Sequence, residues 1–285
     1  TDMTFIATAN AVDLCGAKSV LVDIDPKDLT ISIDAIKKAV TPKTKAIVPV
    51  HVTGRAADMD AILAIAKEHN LWVVEDAAEA LGSKYKEKYL GTWGDIGCFS
   101  FSANKTISSG QGGMLVTNNE ALYKKFRPLK DQGRPVRGTG GGEDLHNTIG
   151  YNFRLTDLQA GMALGQYTHA KERMSRMKRN YELYKEYLKD VKEISFFSSR
   201  PEELPQWTDV LTEKRDELEK YLKNENIDCR KYWLPIHQQL AYKQSDANFP
   251  NSTALSPKSL WLPSAFTMTD EEVMVVSNKI KEFFK

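Results

Sequence analysis

Apolar runs alternate with helical patterns along the first half of the chain. Short runs rich in β-branched and aromatic residues, bounded by turn residues, are typical of buried strands. Between two of these runs, residues 58–70 predict an amphipathic helix that Asp58 or Asp60 caps. This order predicts a βαβ unit and a largely parallel sheet. The predicted strands lie within residues 19–25, 46–52, 71–77, 96–102 and 112–118.

The pattern changes after Gly150. Residues 156–190 are strongly helical and become highly charged towards their end, which predicts a long helix, bent or interrupted, with Thr156 as its cap. Short strand patterns and further helical patterns follow it. We therefore predict a large domain over residues 1–165, and a connecting helix with a small α+β domain over residues 166–285. The Gly-rich, polar segment 133–150 is predicted to be a loop.

Composition and charge narrow the class of partner. The 285 residues include 39 Lys plus Arg and 38 Asp plus Glu, a net charge of +1, and 41% are hydrophobic. This balance gives no field towards nucleic acid or an anionic membrane, so we expect a small-molecule partner. The 3 cysteines are widely spaced and indicate neither a disulfide framework nor a metal site. We find no membrane span and no signal peptide in the sequence, and we expect a cytoplasmic protein.

Lys105 lies between a predicted strand and the glycines at 110, 112 and 113. A lysine in desolvating or cationic surroundings can act as a covalent catalyst, although most lysines are solvated surface charges. In a nucleotide P-loop the lysine follows the glycines and a helix follows the lysine, and residues 98–113 have the opposite order. No G-x-G-x-x-G motif stands at a strand-to-helix turn either. Both nucleotide-binding interpretations are therefore set aside.

Asp76 stands at the end of a predicted strand, where ligands bind in open α/β sheets. Pyridoxal phosphate requires a lysine for covalent attachment, a carboxylate for its pyridinium nitrogen, and hydroxyls or amides for its phosphate. Lys105, Asp76 and Ser100 supply these groups. An alternative is that Asp76 caps a helix that begins in "DAAEA", and both interpretations stay open at this point.

The segment "EDAAEALGSKYKEKYLGTWGDIGCFSFSANKTISSGQGGMLVT" resembles the central motif of the DegT-type sugar-nucleotide aminotransferases, which are pyridoxal-phosphate enzymes. Further blocks resemble the family in the right order over nearly the whole chain. They are "TFIATANAV", "DIDPKDLTIS", "VPVHVTGRAADMD", "IGYNFRLTDLQAGMALGQ" and "CRKYWLPIHQQLAY". The resemblance implies an α/β fold of type I, with a mostly parallel mixed sheet, flanking helices and a smaller α+β C-terminal domain. It also implies a homodimer with the active site at the subunit interface.

The resemblance assigns roles to several residues of the predicted site. Lys105 matches the lysine that attaches the cofactor, and Asp76 matches the partner of the pyridinium nitrogen. Glu79 matches the residue near the ring hydroxyl of the cofactor. Ser100 matches a phosphate ligand, and Phe5 matches the aromatic ring that lies against the pyridine ring.

Other matches concern the partner subunit and the substrate. Asn152 matches a residue that reaches the phosphate from the partner subunit, and Arg154, close to it in the sequence, is a candidate substrate contact. His237 matches a block near the substrate, and a satisfied structural histidine is the alternative. Charged residues of the Gly-rich loop are candidates for contacts with a diphosphate, with solvated loop charges as the alternative; they are Arg134, Arg137 and His146.

The motifs "EDAAEALGS" and "SANKTISSGQGGM" are most similar to the family branch that makes GDP-perosamine. That branch transfers an amino group from L-glutamate to carbon 4 of GDP-4-keto-6-deoxymannose. One alternative is an aminotransferase for a dTDP- or UDP-linked keto-sugar, at carbon 3 or 4. Another is a non-catalytic regulator, against which the presence of both Lys105 and Asp76 argues. A dehydratase branch with histidine in place of Lys105 is disfavoured.

The chain departs from the family pattern in two places. Gln111 replaces the usual glutamate after the lysine, which changes the charge of the glycine loop. The N-terminal segment of the family, with a Gly-Thr turn that donates to the cofactor phosphate, has no counterpart before Thr1. Either this chain binds the cofactor poorly, or the natural chain begins earlier, and we favour the second interpretation.

Overall fold

Two four-stranded sheets organise the chain. The structure is a computed structural model, and it describes residues 1–135 and 145–285. The described helices are α1 (Ala7–Leu14), α2 (Ile33–Ala39), α3 (Met59–His69), α4 (Glu120–Leu129), α5 (Asp157–Tyr167), α6 (Ala170–Leu188), α7 (Arg215–Asn224), α8 (Pro250–Leu255) and α9 (Asp270–Phe283). The described strands are β1 (Ala46–Ile47), β2 (Trp72–Asp76), β3 (Lys84–Tyr85), β4 (Lys88–Tyr89), β5 (Ile96–Ser100), β6 (Gly113–Val116), β7 (Ser195–Phe196), β8 (Thr208–Leu211), β9 (Arg230–Lys231) and β10 (Ser259–Leu262).

The first sheet has the strand order β1-β2-β5-β6. Strands β1, β2 and β5 are parallel, and β6 is antiparallel to β5, so the predicted βαβ unit and mixed sheet are confirmed. Helix α3 is the crossover between β1 and β2. The Asp58 side chain caps it by accepting a hydrogen bond from the N–H of Ala61. Ile62 and Ile65 of its apolar face pack with Val73 of β2 in the first hydrophobic core.

The predicted strand over residues 19–25 is wrong. Ile24 forms only an isolated bridge with Ile31, and the chain turns back between them. The apolar run reflects burial, since Ile24 is fully buried, and not a ladder of backbone hydrogen bonds. Strand β1 is also shorter than predicted, because Pro49 has no N–H to donate and pairing resumes only as a bridge at Val50.

Strand β6 forms where a buried strand is predicted, but it is not buried. Met114 and Leu115 are 52% and 54% exposed. The strand lies at the edge of the described sheet, with β5 as its neighbour. The prediction of a strand is confirmed here, and the prediction of its burial is wrong.

The second sheet has the order β7-β8-β10-β9, and its described pairings are antiparallel. Its interior strand β10 has no counterpart among the predicted strands. Leu183, Leu218 and Leu260 belong to the second core, to which α6, α7 and β10 contribute. No helix in the described part of the chain is both long enough and apolar enough to cross a membrane.

The predicted long helix begins with a capping box at Thr156 and is interrupted between α5 and α6, as expected. Helix α5 crosses the predicted domain boundary at residue 165. The division into residues 1–165 and 166–285 stays a prediction.

A buried ion pair connects the first sheet to the second. The guanidinium of Arg55, which follows β1, donates to both carboxylate oxygens of Asp209 on β8, at 2.8 and 2.7 Å. Arg55 Nε donates to the Asp28 carbonyl at 2.6 Å. The two charged side chains are 6% and 1% exposed. Planar, bidentate pairing of this kind fixes the orientation of both groups.

We expect Arg55→Leu to lower the free energy of unfolding by about 3–5 kcal/mol, because Asp209 is then left buried without a counter-charge. Urea denaturation measures the change. Lys124→Ala is the control, since its ion pair with Glu120 is 71% and 78% exposed and contributes less than about 1 kcal/mol. Arg55→Leu combined with Asp209→Leu should cost less than Arg55→Leu alone. Equal effects of Arg55→Leu and Lys124→Ala would contradict the role of this pair.

Candidate active site

The parallel register of β2 and β5 brings the predicted cofactor residues to one edge of the sheet. Asp76, the last residue of β2, lies opposite Cys98, and Ser100 ends β5 two residues later. The turn after β5 returns Lys105 to Glu79, which follows β2. The carboxyl ends of parallel strands are where open α/β sheets bind ligands.

Glu75 anchors the end of β2 and is fully buried. Its carboxylate accepts hydrogen bonds from the N–H groups of Gly91, Trp93 and Gly94 at 2.6–2.7 Å. The N–H of Ala57 donates to Nδ1 of His51, so the imidazole proton lies on Nε2, which donates to Glu75 at 2.9 Å. Burial raises the pKa of Glu75, but His51 and the N–H donors outweigh it, and the pKa lies below its ordinary value.

Asp76 is held at both carboxylate oxygens. Thr8 Oγ1 donates to Oδ2 at 2.6 Å, and the N–H of Ala78 donates to Oδ1 at 3.1 Å. Residues 77–80 form a turn and not a helix. The alternative that Asp76 caps a following helix is therefore wrong, and its carboxylate closes an Asx-type turn instead.

Lys105 is not a solvated surface charge, since its side chain is only 11% exposed. Its Nζ lies 3.4 Å from Glu79 Oε1 and 4.9 Å from the centre of the Trp207 ring. The other carboxylate oxygen of Glu79 accepts the N–H of Thr53 at 2.9 Å. Burial is the main cause that raises the pKa of Glu79, and the neighbouring charge of Lys105 opposes this rise.

Hydroxyl groups and an aromatic ring complete the set of predicted cofactor residues. Ser100 is half-buried, and its Oγ lies 3.2 Å from Ser102 Oγ. Phe5 precedes α1 and is 57% exposed, so a face of its ring is accessible. A buried amine, a carboxylate at a strand end and a pair of hydroxyls at the neighbouring strand end are the donor set that pyridoxal phosphate requires. The residues present therefore fit this cofactor.

A cavity of about 440 Å³ opens beside Lys105, and the second sheet supplies much of its wall. Trp207, Trp261 and Phe266 line it, together with Arg230, whose guanidinium lies 5.3 Å from the centre of the Trp261 ring. Sequence reasoning did not identify these residues as part of a site. The segments around β8 and β9 are rich in aromatic residues, which could have indicated a binding surface. Their apolar pattern was interpreted only as evidence for strands.

His237 is fully buried, away from open solvent. Its Nδ1 lies 2.6 Å from Asp2 Oδ2 and its Nε2 lies 3.0 Å from Asp246 Oδ1. The ring also stacks on Phe249, with 4.4 Å between the ring centres. Both ring nitrogens are engaged, which favours the structural alternative over a direct contact with substrate.

Two of the residues predicted to act at the partner subunit or on the substrate, Arg134 and Arg154, lie close together. Arg134 and Arg154 approach the same oxygen of Asp131, at 3.6 and 3.4 Å. They line a basic pocket of about 150 Å³ with Arg127 and Lys130. Exposed Asn152 forms a backbone bridge with Asp131.

Two further predicted loop contacts have different outcomes. His146 Nδ1 lies 2.7 Å from the carbonyl oxygen of Gln132. Arg137 lies outside the described residues, as does the rest of segment 136–144.

The loop after Lys105 needs glycine at two positions, Gly110 and Gly112. Gly110 adopts φ +78°, in the left-handed region. A Cβ on Gly112 would come within 2.6 Å of Ser109 Oγ. Gln111 is exposed, and its carbonyl accepts from Ser109 Oγ and from Gln159 Nε2 at 2.8 and 3.1 Å. The backbone carbonyl of Gln111 therefore holds the loop in place through these two hydrogen bonds.

Comparison with known proteins identifies relatives over nearly the whole chain. A profile of the DegT/DnrJ/EryC1/StrS aminotransferase family matches residues 1–281. GDP-perosamine synthase of Escherichia coli O157:H7 is 36% identical in an alignment of length 285 that covers 99% of this chain and 77% of that protein. UDP-N-acetyl-3-dehydro-alpha-D-glucosamine 3-aminotransferase of Acidithiobacillus ferrooxidans is 34% identical in an alignment of length 283 that covers 98% of this chain and 75% of that protein.

The fold is similar to that of solved aminotransferases. The structure of DesV from S. venezuelae, in complex with a ketimine intermediate, superposes with a TM-score of 0.92 at 30% identity. The superposition covers 99% of this chain and 76% of that one. The predicted fold class is confirmed.

We expect Glu75→Gln to lower the free energy of unfolding by about 2 kcal/mol at pH 7, because buried hydrogen bonds to a charged group are lost. The folded-state pKa of Glu75 lies below 4.5, so its stabilisation is full above that pH and is lost as the pH falls through the folded pKa. The variant should therefore show a shallower loss of stability below pH 4.5 in urea denaturation. Glu68→Gln, at a side chain that is 73% exposed, is the control. Identical pH profiles of Glu75→Gln and the unmodified protein would contradict this assignment.

Proposed function

Because the chain belongs to the DegT/DnrJ/EryC1/StrS aminotransferase family, we propose that it uses pyridoxal phosphate to transfer an amino group from L-glutamate to a nucleotide-linked 4-keto-6-deoxyhexose. The favoured acceptor is GDP-4-keto-6-deoxymannose, which would yield GDP-perosamine. The similarity to the E. coli GDP-perosamine synthase supports this choice. The observation that carries the proposal is the shielded Lys105 amine beside the carboxylate of Glu79, which follows β2.

Each residue of the site has a defined task in this proposal. Lys105 attaches the cofactor, and Asp76 pairs with its ring nitrogen. Ser100 and Ser102 donate hydroxyls to its phosphate. Pyridoxal phosphate, when bound, supplies the electron sink that stabilises charge on the reacting carbon. The Lys105 amine would serve as the general base that accepts the Cα proton of glutamate, and in its protonated form as the general acid that donates this proton during amino transfer.

Glu79 fixes the position of the Lys105 amine. Its carboxylate is 5% exposed, and the Thr53 N–H fixes one of its oxygens, so its other oxygen faces Lys105. Opposite charges attract more strongly in such a shielded place than in water. Glu79 thereby keeps Lys105 at the edge of the sheet where Asp76 and Ser100 lie.

The cavity beside Lys105 supports a substrate with both a flat ring and an anionic group. Trp207, Trp261 and Phe266 offer aromatic surfaces, and Arg230 offers a guanidinium. A nucleotide sugar has a base, a sugar ring and a diphosphate. The alternative substrates are dTDP- or UDP-linked keto-sugars, and the resemblance to the A. ferrooxidans 3-aminotransferase favours testing a UDP-linked one.

The direct test follows the cofactor spectrum of the purified protein. Glutamate should remove the visible absorption of the lysine-bound cofactor, GDP-4-keto-6-deoxymannose should restore it, and mass spectrometry should detect the amino sugar. Lys105→Ala should lower turnover at least about 100-fold, because the attachment point and the proton-transfer base are lost together. Lys88→Ala, at an exposed lysine, is the matched control.

The outcomes of this test separate the alternatives. Restoration by only a dTDP- or UDP-linked keto-sugar would contradict the GDP assignment and leave the transaminase chemistry in place. An unchanged spectrum in Lys105→Ala would contradict the assignment of the lysine. No response to glutamate, despite bound cofactor, would favour the non-catalytic alternative.

We also propose that the protein is a homodimer and that the surface around α5 is its interface. Helix α5 buries none of its residues, although apolar side chains recur along it. A segment with this many exposed apolar side chains is typical of a surface that a protein partner covers. We infer that a second copy of this chain covers the surface. Asn152, which is expected to act across the subunit interface, lies among these exposed residues. The exposed apolar residues of the α5 patch are Ile149, Phe153, Leu158, Met162 and Leu164.

We expect Leu158→Asp to weaken dimerisation at least about tenfold, because it places a charge in an apolar interface. Sedimentation equilibrium measures the association constant. Leu240→Asp is the control, since Leu240 is 96% exposed and Leu158 is 81% exposed, but Leu240 lies outside the α5 patch. Unchanged association of Leu158→Asp would contradict the proposed interface, and so would an equal loss in both variants.

A further inference from the structure

We propose that Thr8 is a positioning residue whose hydroxyl fixes the Asp76 carboxylate for its interaction with the cofactor ring nitrogen. The inference rests on the proposed function. The two residues are 68 positions apart, and Thr8 Oγ1 lies 2.6 Å from Asp76 Oδ2. Hydrogen bonds to a carboxylate are stronger than those between neutral groups.

The hydrogen bond from Thr8 prevents a rotation of the Asp76 carboxylate that the hydrogen bond from Ala78 alone would allow. The Ala78 N–H holds Oδ1 from within the same turn, at 3.1 Å. A carboxylate held at one oxygen can still swing about that contact, whereas one held at both oxygens has a fixed plane. Each oxygen of an ionised carboxylate has a second acceptor position, so either can still accept a ring N–H. Thr8 therefore sets the direction of the remaining acceptor positions.

The charges around Asp76 make this donor important. Glu75 and Glu79 lie one and three positions from Asp76 in the sequence, so three carboxyl groups share this end of β2. Glu75 has His51 and several N–H groups as donors, and Glu79 has Lys105. Burial first, and then the charges of Asp76 and Glu75, raise the pKa of the Cys98 thiol to about 11. Of these three carboxylates, Asp76 is the one that the Thr8 hydroxyl holds.

The same segment carries the aromatic ring predicted to lie against the cofactor. Phe5 immediately precedes Ile6, the N-cap of α1, and is three positions before Thr8 in the first turn of the helix. Among the residues of α1 only Ala9 is buried, so packing alone holds this helix weakly. The Thr8–Asp76 bond fastens α1 to the end of β2. Loss of the hydroxyl should therefore loosen both the carboxylate and the approach of Phe5.

The test measures cofactor binding without any substrate. Thr8→Val has the same shape but no donor, whereas Thr8→Ser keeps the donor and loses the methyl group. We expect the pyridoxal-phosphate dissociation constant, from equilibrium dialysis, to rise about tenfold in Thr8→Val and to stay within about twofold in Thr8→Ser. Thermal unfolding of the cofactor-free proteins checks that each variant folds. Unchanged binding in Thr8→Val, or equal losses in both variants, would overturn the inference.

A double-mutant cycle then tests whether Thr8 acts through Asp76. In the Asp76→Asn background, Thr8→Val should change the dissociation constant by less than about twofold, because the carboxylate that it orients is gone. Independent, multiplicative losses would overturn the inference. Failure of the unmodified protein to bind pyridoxal phosphate would contradict the proposed function and the inference with it. Binding by the unmodified protein that is insensitive to Thr8→Val would overturn the inference alone.

Discussion

The buried ion pair of Arg55 and Asp209 is the constraint on which the geometry around Lys105 depends. It clamps the segment after β1 to β8 of the second sheet, and that segment also supplies the Thr53 N–H that holds Glu79. Trp207, whose ring lies beside Lys105 Nζ, immediately precedes β8. Since an unpaired buried charge is strongly unfavourable, the pair fixes the carboxylate and the indole that contact the amine. The position of Lys105 is thus set by contacts between the two sheets.

The close approach of the second half of the chain to the segment after β1 explains an unusual backbone conformation in that segment. Thr53 adopts φ 50° and Gly54 adopts φ 93°, both in the left-handed region. A Cβ on Gly54 would lie 1.9 Å from the Leu204 carbonyl oxygen, so the turn requires glycine where the second half of the chain passes. A left-handed threonine costs roughly 1–2 kcal/mol. The hydrogen bond to Glu79 and the adjoining ion pair at Arg55 offset that strain and make it part of the site.

The parts of the structure predicted from the sequence are those that local patterns determine. The alternation of apolar and polar residues identified α3, β2 and β5, and the order of the strands placed Asp76 and Lys105 at one edge of the sheet. Periodicity could not identify Thr8 or Trp207 as neighbours of these residues, because tertiary packing brings them from distant segments. The apolar run at 19–25 failed as a strand for a related reason: hydrophobicity reports burial, whereas a ladder also needs a neighbouring backbone.

The segment "EDAAE" shows how environment gives similar side chains different tasks. Glu75 accepts from His51 and from several N–H groups, which satisfies its carboxylate and makes it an internal anchor. Glu79 is also buried, but its charged partner is the amine of Lys105, so its charge positions a reactive group. Asp76 lies between them, half-buried and with acceptor positions to spare. Of the three, Asp76 combines a fixed carboxylate plane with access from the sheet edge, and the proposed partner of a pyridinium nitrogen needs both properties.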